Sequence, residues 1–167
     1  MQHRARLCAA VAATAALLTP AAAAAPPEAG VLAPGTSLGG VRLGMTKADV
    51  RRTWGSSYGR CRDCDRETWY FNYRPFTAQG AGVVFERGRV DQAFTVWRPE
   101  GWRTARGLVL GAAEAEVTRL YGPLERRECA GYAALVLPAA KASTAFYVHE
   151  GELWGFGLTR RGESPCV

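Results

Sequence analysis

Four cysteines follow the N-terminal 25 residues of this 167-residue chain, and their chemistry depends on how they pair. Cys61 and Cys64 form the stretch CRDC, whereas Cys129 and Cys166 lie far apart. A CxxC pair is typical of redox sites, but there the reactive thiol lies at a helix N-terminus, which lowers its pKa. Here the pair follows an expected helix and precedes an expected strand. Four cysteines can pair in three ways. We expect the connectivity with the structural disulfides Cys61–Cys64 and Cys129–Cys166, and thiol redox activity is the alternative.

His149 is the only histidine after the N-terminal segment, so a Ser-His-Asp site would have to include it. No serine stands in a Gly-x-Ser-x-Gly motif, and a single histidine excludes a multi-histidine metal site. Glu150 and Glu152 flank a turn glycine, but nothing marks the cleft that a glycosidase needs between two carboxylates. The sequence therefore predicts no catalytic residue, no cofactor and no metal, with an enzyme using His149 as the alternative.

Charged residues of both signs alternate along the chain. The net charge is +6, and near CRDC the arginines at positions 60, 62 and 66 alternate with acids at positions 63, 65 and 67. Nucleic-acid binding requires clustered basic residues, and a calcium loop requires a twelve-residue ligand pattern. We therefore expect a solvated surface of mixed charge and no nucleic-acid partner.

The sequence segments that are expected to position these residues occur in two similar copies. Residues 40–55, GVRLGMTKADVRRTWG, and residues 107–122, GLVLGAAEAEVTRLYG, are identical at seven of sixteen positions, which indicates an internal repeat. In the first copy, Thr46 with Asp49 three residues later predicts a capping box, and Gly55 predicts the helix end. The second copy has Ala113 in place of Thr46, so packing must hold its helix.

Three segments rich in aromatic and β-branched residues follow each helix, as strands prefer. Gly88 and Gly151 occupy the turn positions of tight hairpins. The segments span residues 68–74, 81–88, 89–97, 132–138, 143–151 and 152–159. The predicted fold class is α+β: two tandem α-β-β-β repeats form one mainly antiparallel sheet of about six strands, with the short helices on one face.

The N-terminus has the layout of a secretory signal peptide. Arg4 and Arg6 precede an apolar run over residues 7–18, and small residues continue to Ala25. That run is too short for a membrane span, which needs roughly 20 residues. We therefore expect cleavage near Ala25 and secretion, with no membrane span.

The rest of the chain is expected to form a single domain. Residues 26–38, rich in Pro and Gly, are predicted to be a flexible leader. Repeat 1 over residues 39–97, a connector over 98–106 and repeat 2 over 107–167 then build the domain.

The first helix carries a resemblance to a known family. RLGMTKADVRRTWG followed by Cys61 resembles the Gly-Met-Thr, Val, Gly, Cys pattern of secreted β-lactamase inhibitory proteins. Those proteins have two tandem helix-plus-antiparallel-sheet repeats, and the same helix motif occurs in outer-membrane assembly lipoproteins of the SmpA/OmlA type. The resemblance implies a fold of this kind and makes β-lactamase inhibition one expectation. The second copy lacks the Met and Thr, and the cysteine spacing differs, so no inhibitory residue is carried over.

These features favour a secreted, non-catalytic module. We expect it to bind a protein or cell-envelope partner through the sheet face that the helices leave open. The candidate residues are Trp69, Phe71, Tyr73 and Trp154, of which the first three share one face of a predicted strand. For any single ring, core filling is the more frequent role.

Overall fold

The computed structural model describes residues 29–71, 80–96 and 101–167, with two helices and eleven strands in those ranges. The helices are α1 (Lys47–Trp54) and α2 (Glu114–Tyr121). The strands are β1 (Ala29–Ala33), β2 (Ser37–Leu38), β3 (Gly59–Arg60), β4 (Glu67–Phe71), β5 (Gly80–Glu86), β6 (Arg89–Val96), β7 (Gly101–Thr104), β8 (Glu125–Cys129), β9 (Tyr132–Leu137), β10 (Ala142–His149) and β11 (Glu152–Arg160). Over the same ranges, neither helix is long and apolar enough to cross a membrane.

The helix ends follow the local sequence signals. Thr46 accepts a hydrogen bond from the backbone N–H of Asp49, and the Asp49 carboxylate accepts one from the backbone N–H of Thr46, which completes the predicted capping box. Ala113 provides no side-chain cap for α2. Gly55 and Gly122 end the two helices with φ of 86° and 82°, a conformation that glycine adopts without strain.

The predicted α+β sheet of about six strands is wrong. The chain is mostly β, with one eight-stranded antiparallel sheet in the order β3-β4-β5-β6-β11-β10-β9-β8 and a three-stranded sheet in the order β2-β1-β7. The strand order of the large sheet is mirrored about the central pair, β6 and β11. Each helix is therefore followed by four strands of this sheet rather than three.

The two missed strands lie at the edges of the large sheet. β3 is a Gly-Arg pair, and four of the five residues of β8 are exposed charged side chains. An edge strand that faces water on both sides needs no alternating apolar pattern, and charged residues there discourage aggregation. Hydrophobic periodicity therefore could not reveal either strand.

The small sheet comes from segments expected to be irregular. β1 and β2 lie in the predicted leader, and β7 lies in the predicted connector. β1 pairs in parallel with β7 along Ala29–Leu32 and in antiparallel with β2. Leu32, Leu38 and Trp102 from these strands are fully buried, so the small sheet closes the core on the helix side.

Two tight hairpins set the register of the central strands. Arg87 and Gly88 join β5 to β6, Glu150 and Gly151 join β10 to β11, and all four have positive φ. Positive φ at both loop residues is typical of type I′ turns, whose twist matches that of the strands. The predicted turn positions of Gly88 and Gly151 are confirmed.

Candidate functional site

Two of the rings predicted to form a binding face are core residues instead. Trp69 and Phe71 are 0% exposed and pack on the helix side of the large sheet. The ring centroids of Phe71 and Trp54 of α1 lie 5.1 Å apart. As candidate binding residues these two were wrong; they have the core-filling role, because the helices cover the more apolar face. Tyr73 lies outside the described residues, and Trp154 lies on the opposite face.

That opposite face, here called the open face, carries a second apolar cluster. Its buried members are Val84, Phe94, Val96, Ala134, Val136, Ala145 and Tyr147, and its partly buried members are Tyr70, Cys129, Tyr132 and Trp154. The buried residues of the described helices, Val50, Trp54 and Val117, belong to the other cluster. Among the described residues, the helices therefore contribute nothing to this face.

Aromatic rings run across the open face from both ends of the sheet. The centroid of Tyr132 lies 5.2 Å from that of Trp154 and 5.7 Å from that of Tyr147, and Tyr70 lies 6.2 Å from Phe94. Burial raises the pKa of Tyr132 and of Tyr147, so both hydroxyls stay protonated at neutral pH. Partly exposed Tyr and Trp side chains offer both apolar area and a hydrogen-bonding group.

The C-terminal segment crosses part of this face. The Gln92 side chain donates to the Ser164 carbonyl at 2.8 Å, and the Val167 N–H donates to the Tyr132 hydroxyl at 2.7 Å. Between these contacts, Cys166 forms a disulfide with Cys129 on β8. The segment is thus fastened at three points from the centre of the sheet to its edge.

A recess of about 320 Å³ lies between this segment, the CRDC loop and strands β4 to β6. This volume is at the lower end of the range for ligand pockets. Its floor is Tyr70, Val84 and Phe94, its polar groups include Thr68, Arg66 and Gln92, and Asp63, Cys64, Asp65, Cys166 and Val167 complete the lining. It combines aromatic surface with charged groups of both signs.

Asp91 positions Arg66, one of the side chains that line the recess. Its carboxylate accepts hydrogen bonds from Arg66 Nη1 at 2.9 Å and Arg160 Nε at 2.8 Å, while Arg66 Nη2 donates to Gln92 at 3.2 Å. Asp91 is 3% exposed and lies at the register shift between β5 and β6. No sequence pattern singled out this group, although an aspartate in the middle of a predicted strand was the available signal.

The cysteines pair as the sequence analysis expected. Cys61 bonds to Cys64, and Cys129 bonds to Cys166 across a separation of 37 residues. The Cys61–Cys64 bond closes the loop between β3 and β4. This position differs from that of reactive CxxC pairs, which lie at helix N-termini.

His149 ends β10 beside the hairpin turn, and its ring centroid lies 6.2 Å from that of Trp154. None of the hydrogen bonds found among the described residues joins it to a serine or a carboxylate. Over those same residues, no group of three or more His, Cys, Asp or Glu side chains could hold a metal ion. The structure therefore places His149 beside Trp154 at the open face.

Comparison with protein-family models finds no match, and none is found among curated proteins. The fold is similar to that of an extracellular protein from Bacillus anthracis that contains an SCP domain, known from a 1.5 Å crystal structure. The identity is 14%, the TM-score is 0.52, and the match covers 71% of this chain and 44% of that one. The chain thus matches less than half of that protein's length, and at this identity the likeness concerns the fold alone.

Proposed function

We propose that this chain is an exported, non-catalytic module that binds another protein or a cell-envelope component through the open face. The observation that carries the proposal is the partly exposed aromatic surface of Tyr70, Tyr132 and Trp154 on a face to which neither helix contributes, together with the recess that Tyr70 lines. Aromatic side chains are enriched among the residues that dominate protein interfaces. The signal-peptide layout and the two disulfides support export.

The mirrored strand order supports a duplicated origin for this face. The first half supplies α1 and β3 to β6, the second half supplies α2 and β8 to β11, and the halves meet at the β6–β11 pair. A partner on the open face would contact both halves. Tyr70 and Phe94 come from the first half, whereas Tyr132 and Trp154 come from the second.

Binding is tested by affinity capture from secreted and envelope fractions, followed by measurement of Kd for the purified partner. Replacing Trp154 with Ala is expected to weaken binding about 30-fold, corresponding to a hot-spot loss of about 2 kcal/mol. Val109→Ala is the matched control, because Val109 is 48% exposed and lies outside the open-face cluster. Equal affinities for the two variants would contradict the proposal.

Inhibition of a β-lactamase is a narrower form of the same proposal. The Gly-Met-Thr helix motif at Gly44–Thr46 supports it, together with the pairing of each helix with antiparallel strands. The test is the hydrolysis rate of a chromogenic cephalosporin by a panel of purified β-lactamases with increasing amounts of this protein. If the hydrolysis rates stay unchanged for every β-lactamase of the panel, the inhibition proposal is contradicted, and the broader binding proposal is unaffected.

The non-catalytic part of the proposal has its own measurement. Thiol-reagent titration of the protein without its expected signal peptide, which contains Cys8, is expected to find no free thiol, since all four described cysteines are in disulfides. Insulin reduction assayed with dithiothreitol is expected to proceed no faster with the protein than without it. Catalysis that disappears in a Cys61→Ser, Cys64→Ser variant would show a redox enzyme instead.

A further inference from the structure

A stacked pair of aromatic rings lies at the β3–β4 edge of the large sheet, on the helix side. The centroids of Tyr58 and Trp69 are 3.8 Å apart, and the ring planes differ by 9°. Trp69 is fully buried, whereas Tyr58 is only partly buried. Tyr58 therefore covers the indole and forms the local surface, away from the open face.

Two guanidinium groups converge on this pair from different elements. Arg51 of α1 and Arg60 of β3 each place Cζ 5.7 Å from the centroid of Trp69, and Arg60 also lies 5.8 Å from that of Tyr58. These distances are typical of cation–π contacts, which restrict the long side chains. Burial would raise the pKa of Tyr58, but its interaction with Arg60 and Arg51 outweighs burial and lowers that pKa.

No ion pair joins Arg51 or Arg60 to an acidic side chain in the part of the chain that the structure describes, although Glu67 attracts Arg60 at longer range. The nearby Glu67 already forms an ion pair with Lys47 and accepts a hydrogen bond from Trp69 Nε1 at 2.9 Å. The hydrogen bond from Lys47 is the main cause that lowers the pKa of Glu67. Glu67 is therefore ionised and hydrogen-bonded to other groups, so neither guanidinium group has a hydrogen-bonded acidic partner among the described residues.

The corresponding edge in the second half is arranged differently. Arg126 on β8 pairs with Glu114 of α2 and with Glu128, both at 2.8 Å, and Arg127 pairs with Glu125 at 2.6 Å. The arginines of that sheet edge are thus matched by acids of the same chain. The β8 edge is therefore charged although its arginines are paired, so the fold does not require the different arrangement at the β3–β4 edge.

We propose that Arg51 and Arg60 form a second binding site, which takes the carboxylates of an acidic segment of a protein partner. The planar fork of a guanidinium matches a carboxylate in two parallel hydrogen bonds, and arginines held on aromatic rings lose little further freedom on binding. The same fork also matches a phosphate, so inorganic phosphate is the competing ligand in the test.

The test is titration of the ¹⁵N-labelled, disulfide-intact protein with a hexaglutamate peptide at low ionic strength, followed by NMR. The Nε–H signals of Arg51 and Arg60 and the indole N–H signal of Trp69 are expected to shift together. Arg51→Gln and Arg60→Gln are each expected to weaken binding about two- to fivefold, the range of exposed ion pairs. Arg87→Gln is the control. The Arg87 side chain is 92% exposed, and this substitution removes the same charge at a distant turn.

The Tyr58→Phe variant tests whether affinity for the peptide depends on the geometry of this site or only on attraction between opposite charges. It removes no charge, but it removes the hydroxyl that interacts with both guanidinium groups, so we expect a loss of affinity of at least twofold with an unchanged near-ultraviolet circular dichroism spectrum. Equal losses for Arg87→Gln and Arg60→Gln would overturn the proposal. Inorganic phosphate shifting the same signals at a lower concentration than the peptide would overturn the choice of a carboxylate partner.

Discussion

At the residue scale, Asp91 links parts of the chain that lie far apart in sequence. Its two carboxylate oxygens bind Arg66 beside the CRDC loop and Arg160 at the end of β11. The carboxylate is almost fully buried, whereas the arginines are partly exposed. Such hydrogen bonds to charged groups contribute more than neutral ones. Asp91 therefore connects the central strands with one wall of the open-face recess.

Asp91→Asn tests this role, because an amide has one carbonyl acceptor where the carboxylate has two. We expect the free energy of unfolding to fall by about 1.5–3 kcal/mol, the range for a hydrogen bond to a charged group. Urea denaturation measures the change. Glu86→Gln, which affects only an exposed pair with Arg87, should stay within about 0.5 kcal/mol of the parent protein. Similar losses for both variants would show that Asp91 has no special role.

A pH effect is expected at Asp49. Hydrogen bonds from Thr46, first from its side chain and then from its backbone, lower the pKa of Asp49 below that of an unfolded chain. A lowered pKa stabilises the folded protein above the unfolded pKa of about 3.9, and that contribution is lost as the pH falls through the folded value. Asp49→Asn should therefore be less stable than the parent at pH 6, and the difference should shrink towards pH 2. Thermal unfolding at both pH values checks this, and a constant difference would contradict it.

At the scale of elements, the two helices have the same length but different N-termini. α1 begins with a complete capping box, whereas α2 begins at Ala113, although Glu116 stands at the third helical position. The backbone of Ala113 is already extended, with φ −61° and ψ 145°, as a capping residue requires. A single substitution should therefore complete the missing box.

Ala113→Thr is expected to raise the free energy of unfolding by about 0.5 kcal/mol, the lower end of the capping range, because the backbone N–H of Glu116 already donates to the Ala113 carbonyl at 2.9 Å and the hydroxyl would share it. Urea denaturation measures the gain. Ala48→Thr is a control, because Ala48 is an exposed position inside α1, where Thr is a poorer helix former than Ala. A loss of stability for Ala113→Thr would show that α2 cannot accept the cap.

At the scale of the whole molecule, the Cys129–Cys166 disulfide ties the C-terminal segment to the far edge of the sheet. It spans 37 residues, compared with three for Cys61–Cys64. In the chain-entropy model, a longer loop removes more freedom from the unfolded chain. The two bonds should therefore differ in their effect on stability.

Replacing Cys129 and Cys166 together with Ser is expected to cost roughly 3–4 kcal/mol, and the same change at Cys61 and Cys64 roughly 2 kcal/mol. Unfolding in guanidinium chloride under non-reducing conditions measures both values. The first variant should also expose more of Phe94 and Tyr132, detectable as increased binding of a fluorescent hydrophobic dye. An equal cost for the two variants would contradict the loop-length argument.

Much of the local structure was predictable from the sequence. Residues close in sequence determine the α1 capping box, the glycines that end both helices and the two hairpin turns. The disulfide pairing follows from the equivalent positions of Cys61 and Cys129 in the two repeats. Turn and cap conformations depend on a few neighbouring residues, because sterics and local hydrogen bonds decide them.

Tertiary structure alone decided the number of strands, the second sheet and the exposed face. β3 and β8 form because a neighbouring strand offers its backbone, and β1 pairs with a segment about seventy residues away. Trp69 and Trp154 are both aromatic residues in β-strands, yet one is buried on the helix side beneath Tyr58 and the other lies on the open face. Pairing and burial of this kind depend on which distant segments meet, and residue type does not encode that meeting.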